Sequence, residues 1–248
     1  VSDVPFFDVN DSVICRTTDG GITWTKQKSP VIANMKGVYF ANQNRGWAVG
    51  DFGKVIATVS GGATWVSQNS GVTVALNSIH FIDLLNGWAV GDSAKIIHTT
   101  NAGTNWTIQT ATITANLNSV FMYNSNLGWA VGNSGTIIAT TDGGANWFSQ
   151  NSGVNANLNA IFFIDANTGW AGGDTGKVLF TTDGGNNWNI QESGVTKAIY
   201  GLFFPDQTHG WAVGEQGTIL NYEAIPPSAP ILISPQDSSW INDQTPLF

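Results

Sequence analysis

Four acidic residues, Asp51, Asp92, Asp174 and Glu215, each stand directly after a Gly-Trp-Ala-Val-Gly-type segment. Two carboxylates across a cleft, roughly 5–9.5 Å apart, are the equipment of glycoside hydrolysis. These residues share one repeated position, and Asn133 fills it in the remaining copy. Equivalent positions on adjacent packed sheets lie roughly 10 Å apart, and an Asn in the series is a turn residue. The series therefore reads as turn formers along a shared rim, not as an acid–base pair. His80, His98 and His209 occupy unrelated positions without ligand spacing, so no metal is expected. The stretch Gly172-Gly-Asp-Thr-Gly-Lys177 has Ala171 where a phosphate loop needs its first glycine and Val178 where it needs Ser or Thr. It reads as a β-turn, and no cofactor is expected.

What positions these residues is a repeat. Trp47, Trp88, Trp129, Trp170 and Trp211 are 41 residues apart, and Trp24, Trp65, Trp106, Trp147 and Trp188 form a second ladder with the same interval. Each copy reads as four short strands. The first is apolar, as in Ser78–Ile82 or Ala160–Ile164, and the second is the Gly-Trp-Ala-Val-Gly segment. A tight turn such as Gly50–Gly53 leads to the third, as in Lys54–Thr58, and a glycine turn leads to the fourth at the second tryptophan. Helical periods are absent. Four strands in about 41 residues make a blade, so the expected fold is all-β: a β-propeller of four-stranded blades, six or seven being favoured and five the alternative.

The turn before the second tryptophan carries the most specific motif. It reads Thr17-Thr-Asp19-Gly-Gly21-Ile-Thr-Trp24 and recurs at Thr140–Trp147 and Thr181–Trp188. A short carboxylate, Asp19, Asp142 or Asp183, can accept from backbone N–H groups of its own turn. Ser60 and Asn101 replace it in two copies, and both can still accept such a bond. This resembles the Asp-box, or bacterial neuraminidase repeat. Sialidases share it, but they need three arginines around their substrate, and only Arg16 and Arg45 are present. With the Gly-Trp-Ala-Val-Gly segments, residues 6–222 resemble the propeller of photosystem II stability and assembly factors and their bacterial relatives. The resemblance implies a propeller that binds proteins or surfaces and is not an enzyme. It also implies an arginine-rich patch, which two arginines do not supply.

Composition narrows the partners. Only 10% of residues are charged and the net charge is −8, which argues against a nucleic-acid partner and against adhesion to an anionic membrane. No apolar run is long enough to insert into a bilayer. Cys15 cannot form an intrachain disulfide and reads as a small apolar strand residue. Asn10–Ser12 and Asn105–Thr107 match the glycosylation pattern.

Residues 1–224 are expected to form the propeller and 225–230 a proline-rich linker. Residues 231–248 resemble the start of a fibronectin type III or immunoglobulin-like domain. The expected binding face collects Asp51, Phe52, Asp92, Asn133, Asp174 and Glu215, with Tyr200 and Asn69, Asn116 and Asn157 in neighbouring inter-blade loops. The chain is read as a non-catalytic extracellular or cell-surface module of bacterial type, with the periplasm as an alternative. It would bind a protein or polysaccharide and belong to a larger multidomain surface protein or assembly. The competing readings are a glycoside-processing enzyme completed by further chain, or an architectural subunit.

Overall fold

The structure, a computed structural model, describes residues 13–223 and 231–233. The expectations for residues 1–12, including the Asn10–Ser12 pattern, and for 224–230 and 234–248 lie outside the described residues.

Among the described residues all regular structure is β apart from single-turn connections. A hairpin of β1 (Val13–Arg16) and β2 (Thr25–Lys28) comes first. Five four-stranded antiparallel sheets follow, each with its strands in chain order. Blade 1 is β3 (Met35–Phe40), β4 (Gly46–Gly50), β5 (Val55–Thr58) and β6 (Val66–Gln68). Blade 2 is β7 (Leu76–Phe81), β8 (Gly87–Gly91), β9 (Ile96–Thr99) and β10 (Thr107–Gln109). Blade 3 is β11 (Leu117–Met122), β12 (Gly128–Gly132), β13 (Ile137–Thr140) and β14 (Phe148–Gln150). Blade 4 is β15 (Leu158–Phe163), β16 (Gly169–Gly173), β17 (Val178–Thr181) and β18 (Asn189–Gln191). Blade 5 is β19 (Ile199–Phe203), β20 (His209–Gly214), β21 (Ile219–Glu223) and β22 (Ile231–Ile233).

The molecule is thus an all-β propeller of four-stranded blades. The two partial repeats at the ends of the sequence occupy separate sheets. Ile231–Ile233, which the sequence groups with an immunoglobulin-like segment, pairs with β21 as the outer strand of blade 5.

In blades 1 to 4 the Gly-Trp-Ala-Val-Gly strand is buried along its whole length. It lies between two paired strands and under two neighbouring sheets, so both of its faces are apolar, as in any doubly covered strand. Its closing glycine has a steric cause. A Cβ on Gly50, Gly91, Gly132, Gly173 or Gly214 would strike the carbonyl of the residue that precedes the blade's first strand. The first strands carry one bulge each, at the residue after Met35, Leu76, Leu117, Leu158 and Ile199. Each bulge re-aims one side chain toward the rim.

The joints between blades are built from the two tryptophan ladders. Trp47 stacks on Phe81 of the next blade at 3.6 Å, Trp129 on Phe163 at 3.5 Å and Trp170 on Phe204 at 3.7 Å. At three joints the indole N–H also crosses over, from Trp47 to the Ala102 carbonyl, Trp88 to Gly143 and Trp129 to Gly184, at 2.9–3.1 Å. Gln68, Gln109 and Gln150 donate to the same three carbonyls. Their amide oxygens accept from Trp106, Trp147 and Trp188. Each joint is therefore an apolar wall closed by a satisfied polar clasp around the neighbour's Asp-box turn.

Among the described residues the fourth joint shows no such clasp, and the buried Trp170 Nε1 and Gln191 Oε1 have no partner. Residues 224–230 fall where the other blades carry an Asp-box, and they contain no Asp or Trp. A buried donor without an acceptor costs stability, whereas a satisfied one contributes about 1 kcal/mol. Trp129→Phe and Trp170→Phe remove the same indole from matched stacks. The Trp129 variant is expected to lose about 1–3 kcal/mol more than the Trp170 variant, read from urea melts of both proteins.

Candidate functional site

Each Asp-box turn is held by its own side chains. Asp19, Asp142 and Asp183 accept from the backbone N–H four residues on, at 2.8–2.9 Å. Ser60 accepts from Thr64 N at 3.0 Å and Asn101 from Asn105 N at 2.9 Å, so hydroxyl, amide and carboxylate serve the same turn. The Thr23 hydroxyl, with the Thr23 N–H, holds the Asp19 carboxyl down at about 2. Asp142 and Asp183 are lowered chiefly by the side chains of Asn146 and Asn187. Acids committed to their own turns in this way are not proton donors near neutral pH. Trp65 and Trp147 are buried and Trp106 and Trp188 are partly buried, whereas Trp24, which has no blade before it among the described residues, is exposed.

The carboxylate series sits at the turn between second and third strands. Asp51, Asp92, Asn133, Asp174 and Glu215 each donate their backbone N–H to the carbonyl before the first strand of their own blade, at 2.8–3.0 Å. The side chains are engaged as well. Asp51 takes the Asn34 amide and a 3.0 Å ion pair with Lys36, and these two, Lys36 foremost, lower its pKa. Asn77 donates to Asp92, Asn118 to Asn133 and Asn159 to Asp174. Asn157 supplies a second amide to Asp174. Glu215 accepts from Ala198 N at 3.5 Å.

The same asparagines join the blades. Asn77, Asn118 and Asn159 also donate to the carbonyls of Leu117, Leu158 and Ile199 on the next blade. Asn116 and Asn157 accept from Ser93 N and Ser134 N of the preceding turn. From blade 2 to blade 5 the rim is thus an amide lattice, and Lys36 joins blade 1 to it through Asn77. Among the described residues no group of three His, Cys, Asp or Glu is placed to hold a metal ion.

Phe52 and Tyr200 are the exposed aromatics of this rim, at 69% and 58%. Tyr200 does not lie in an inter-blade loop, as the sequence suggested. It is the bulge residue of β19, at the position of Asn77, Asn118 and Asn159. The bulge, invisible in a local pattern, turns it to the rim. The amide lattice was also missed, although Leu-Asn recurs at Leu76, Leu117 and Leu158 with the 41-residue period.

A second feature follows the innermost strands. Tyr39, His80, Phe121, Phe162 and Phe203 share one repeat position and touch in succession at 4.9, 4.9, 5.3 and 5.7 Å. Within this aromatic staircase His80 Nδ1 accepts the Met122 N–H, and burial lowers its pKa to about 4.

These features define the class: a β-propeller built from Asp-box repeats. The chain belongs to the photosynthesis system II assembly factor YCF48 family, whose model matches residues 16–112, 107–190 and 155–223. Among solved structures it is similar to YCF48 with a bound D1 peptide (18% identity, TM-score 0.70, 90% of this chain and 74% of that one). YCF48 from Cyanidioschyzon merolae is similar at 18% identity and TM-score 0.69, over 86% and 77% of the two chains. A GH74 enzyme from Niastella koreensis shares the fold at 14% identity and TM-score 0.73, over 92% of this chain but 43% of the enzyme. No curated protein matches the sequence.

Two outcomes follow. Asn101→Asp leaves the turn intact, whereas Asn101→Ala, which orphans the Asn105 N–H, costs about 1 kcal/mol in denaturant titration. For His80, the folded pKa lies below the unfolded value of 6.5. The unfolded chain therefore binds the proton first, and stability is full above pH 6.5 and declines as pH falls toward 4. The loss amounts to about 3 kcal/mol at 1.36 kcal/mol per unit. His80→Phe, which copies Phe121 and Phe162, flattens that window in a stability–pH series.

Proposed function

We propose that this chain is a non-catalytic binding propeller whose rim, from Asp51 to Glu215, holds an extended and mildly basic segment of a protein partner. The observation that carries the reading is the state of the carboxylates. Each is engaged by amides, backbone N–H groups or Lys36 within its own blade, and the lattice leaves no opposed acid and base. What remains for a ligand is negative charge, exposed amides and two aromatic anchors, Phe52 and Tyr200. Family membership supports a protein partner, and a family relative is known with a peptide bound. The partner's segment differs in character from one drawn to arginines, since only Arg16 and Arg45 occur in the chain. A place on a bacterial-type cell surface is part of the proposal and rests on the sequence reading alone.

Calorimetric titration with extended peptides of graded charge, the D1 peptide among them, tests this. The triple variant Asp51→Asn, Asp92→Asn, Asp174→Asn keeps the turn geometry that Asn133 already shows. It is expected to weaken binding of basic peptides by about tenfold or more and to remove its salt dependence. Phe52→Ala weakens binding at any salt concentration. Hydrolysis of a β-glucan by the wild-type chain, abolished in the triple variant, would overturn the reading.

A further inference from the structure

The rim carries a second row of charge. Each turn that holds a rim acid or Asn133 is closed by the backbone N–H three residues on. Lys54 donates to the Asp51 carbonyl, Lys95 to Asp92, Thr136 to Asn133, Lys177 to Asp174 and Thr218 to Glu215, at 3.1–3.2 Å. Lysine therefore faces aspartate across the turn in blades 1, 2 and 4, and threonine takes its place in blades 3 and 5. The acid follows the second strand and the lysine precedes the third, so the two rows lie about one strand spacing apart, roughly 4.8 Å. First strands of neighbouring blades pack on one another. The acid row is thus the inner one and the lysine row the outer one.

The two rows differ in what they touch. The carboxylates are drawn inward, Asp51 to Asn34 and Lys36, Asp92 to Asn77, and Asp174 to Asn157 and Asn159. All of these partners stand on or just before a first strand. Lys36, on the inner side, is committed to Asp51 and Asn77. Among the described residues, by contrast, the Nζ groups of Lys54, Lys95 and Lys177 have no hydrogen bond or ion pair. Lys54 is exposed, and Lys95 and Lys177 are partly so.

We propose that the segment held by the rim is an extended strand of alternating charge, its basic side chains over the acid row and its acidic side chains over Lys54, Lys95 and Lys177. The proposal rests on the rim being the binding site. Successive side chains of an extended segment point to opposite sides. A segment running along the rim between the two rows therefore turns one set of alternate residues inward and the other outward. Strict alternation satisfies both rows in any register, whereas a basic run would set every second residue against a lysine. Blade 3, with Asn133 and Thr136, makes no charge demand, so the charges that matter are those over blades 1, 2 and 4.

Calorimetric titration at low salt with two peptides of about 13 residues tests this. At 3.3 Å per residue that length runs from blade 1 to blade 5, with blades roughly 10 Å apart. One peptide alternates Lys with Glu, the other Lys with Ser, and both begin and end with Lys. The triple variant Lys54→Gln, Lys95→Gln, Lys177→Gln keeps a turn that Thr136 and Thr218 already close without lysine. It is expected to bind the Lys/Glu peptide about tenfold more weakly, the sum of three small surface pairs. It should bind the Lys/Ser peptide more tightly than wild type does, because the cations that repel that peptide are gone. Loss of affinity for both peptides alike, or for neither, overturns the proposal. The rim reading itself then stands if Asp51→Asn, Asp92→Asn, Asp174→Asn still weakens binding of the Lys/Ser peptide. If neither peptide binds the wild-type chain, both readings fall.

Discussion

An indole N–H inside an apolar wall is stabilised by an acceptor, and the three clasped joints of this propeller are arranged around that pairing. Trp47, Trp88 and Trp129 reach the acceptor only because the neighbouring blade folds a tight glycine turn at the right height. That turn depends in turn on its own Thr and Asp, Ser or Asn side chains. Sequence motif, turn and joint are thus one device seen at three scales. Its glutamine completes the arrangement by giving its amide to the shared carbonyl and its oxygen to the second tryptophan. A blade added to the array gains a stacked aromatic face and a polar clasp together, so neighbouring blades stabilise one another in nearest-neighbour fashion.

Much of this was legible from the chain. A strict 41-residue interval in two tryptophan ladders gave the repeat length, and the apolar segments and glycine turns inside each copy gave four strands in chain order. The tolerance of Asp-box positions for Ser60 and Asn101 pointed to turn chemistry, because all three side chains can accept one N–H. What stayed hidden depended on placement in space. Gln68, Gln109 and Gln150 look like surface residues at strand ends until the next blade is set beside them. Tyr200 looks like a loop residue until the bulge after Ile199 turns it. Contacts at separations of 34 or 55 residues leave no trace in a local window, although the recurrence of the participating residues does.

The rim illustrates how a repeat sets several carboxylates on one face while engaging each of them with its own blade. Several carboxylates on one face invite an acid–base reading, and the fold is shared with GH74 enzymes. The distinction lies in what each carboxylate touches. Amides from Asn77, Asn118 and Asn159 hold one side of the series while donating across to the next blade. The rim charges therefore belong to the scaffold as much as to any ligand surface. Moving one of them would disturb two blades at once.

The turn that follows each central strand has a further property. Phe52, Ser93, Ser134, Thr175 and Gln216 all adopt φ of 55–57°, a left-handed conformation that side chains other than glycine, asparagine and aspartate seldom take. The surrounding hydrogen bonds impose it whatever the side chain is. Five different blades thus display four kinds of residue from one backbone template. Such a position behaves as an interchangeable type slot: evolution can rewrite what the rim says, blade by blade, without redrafting the page on which it is printed.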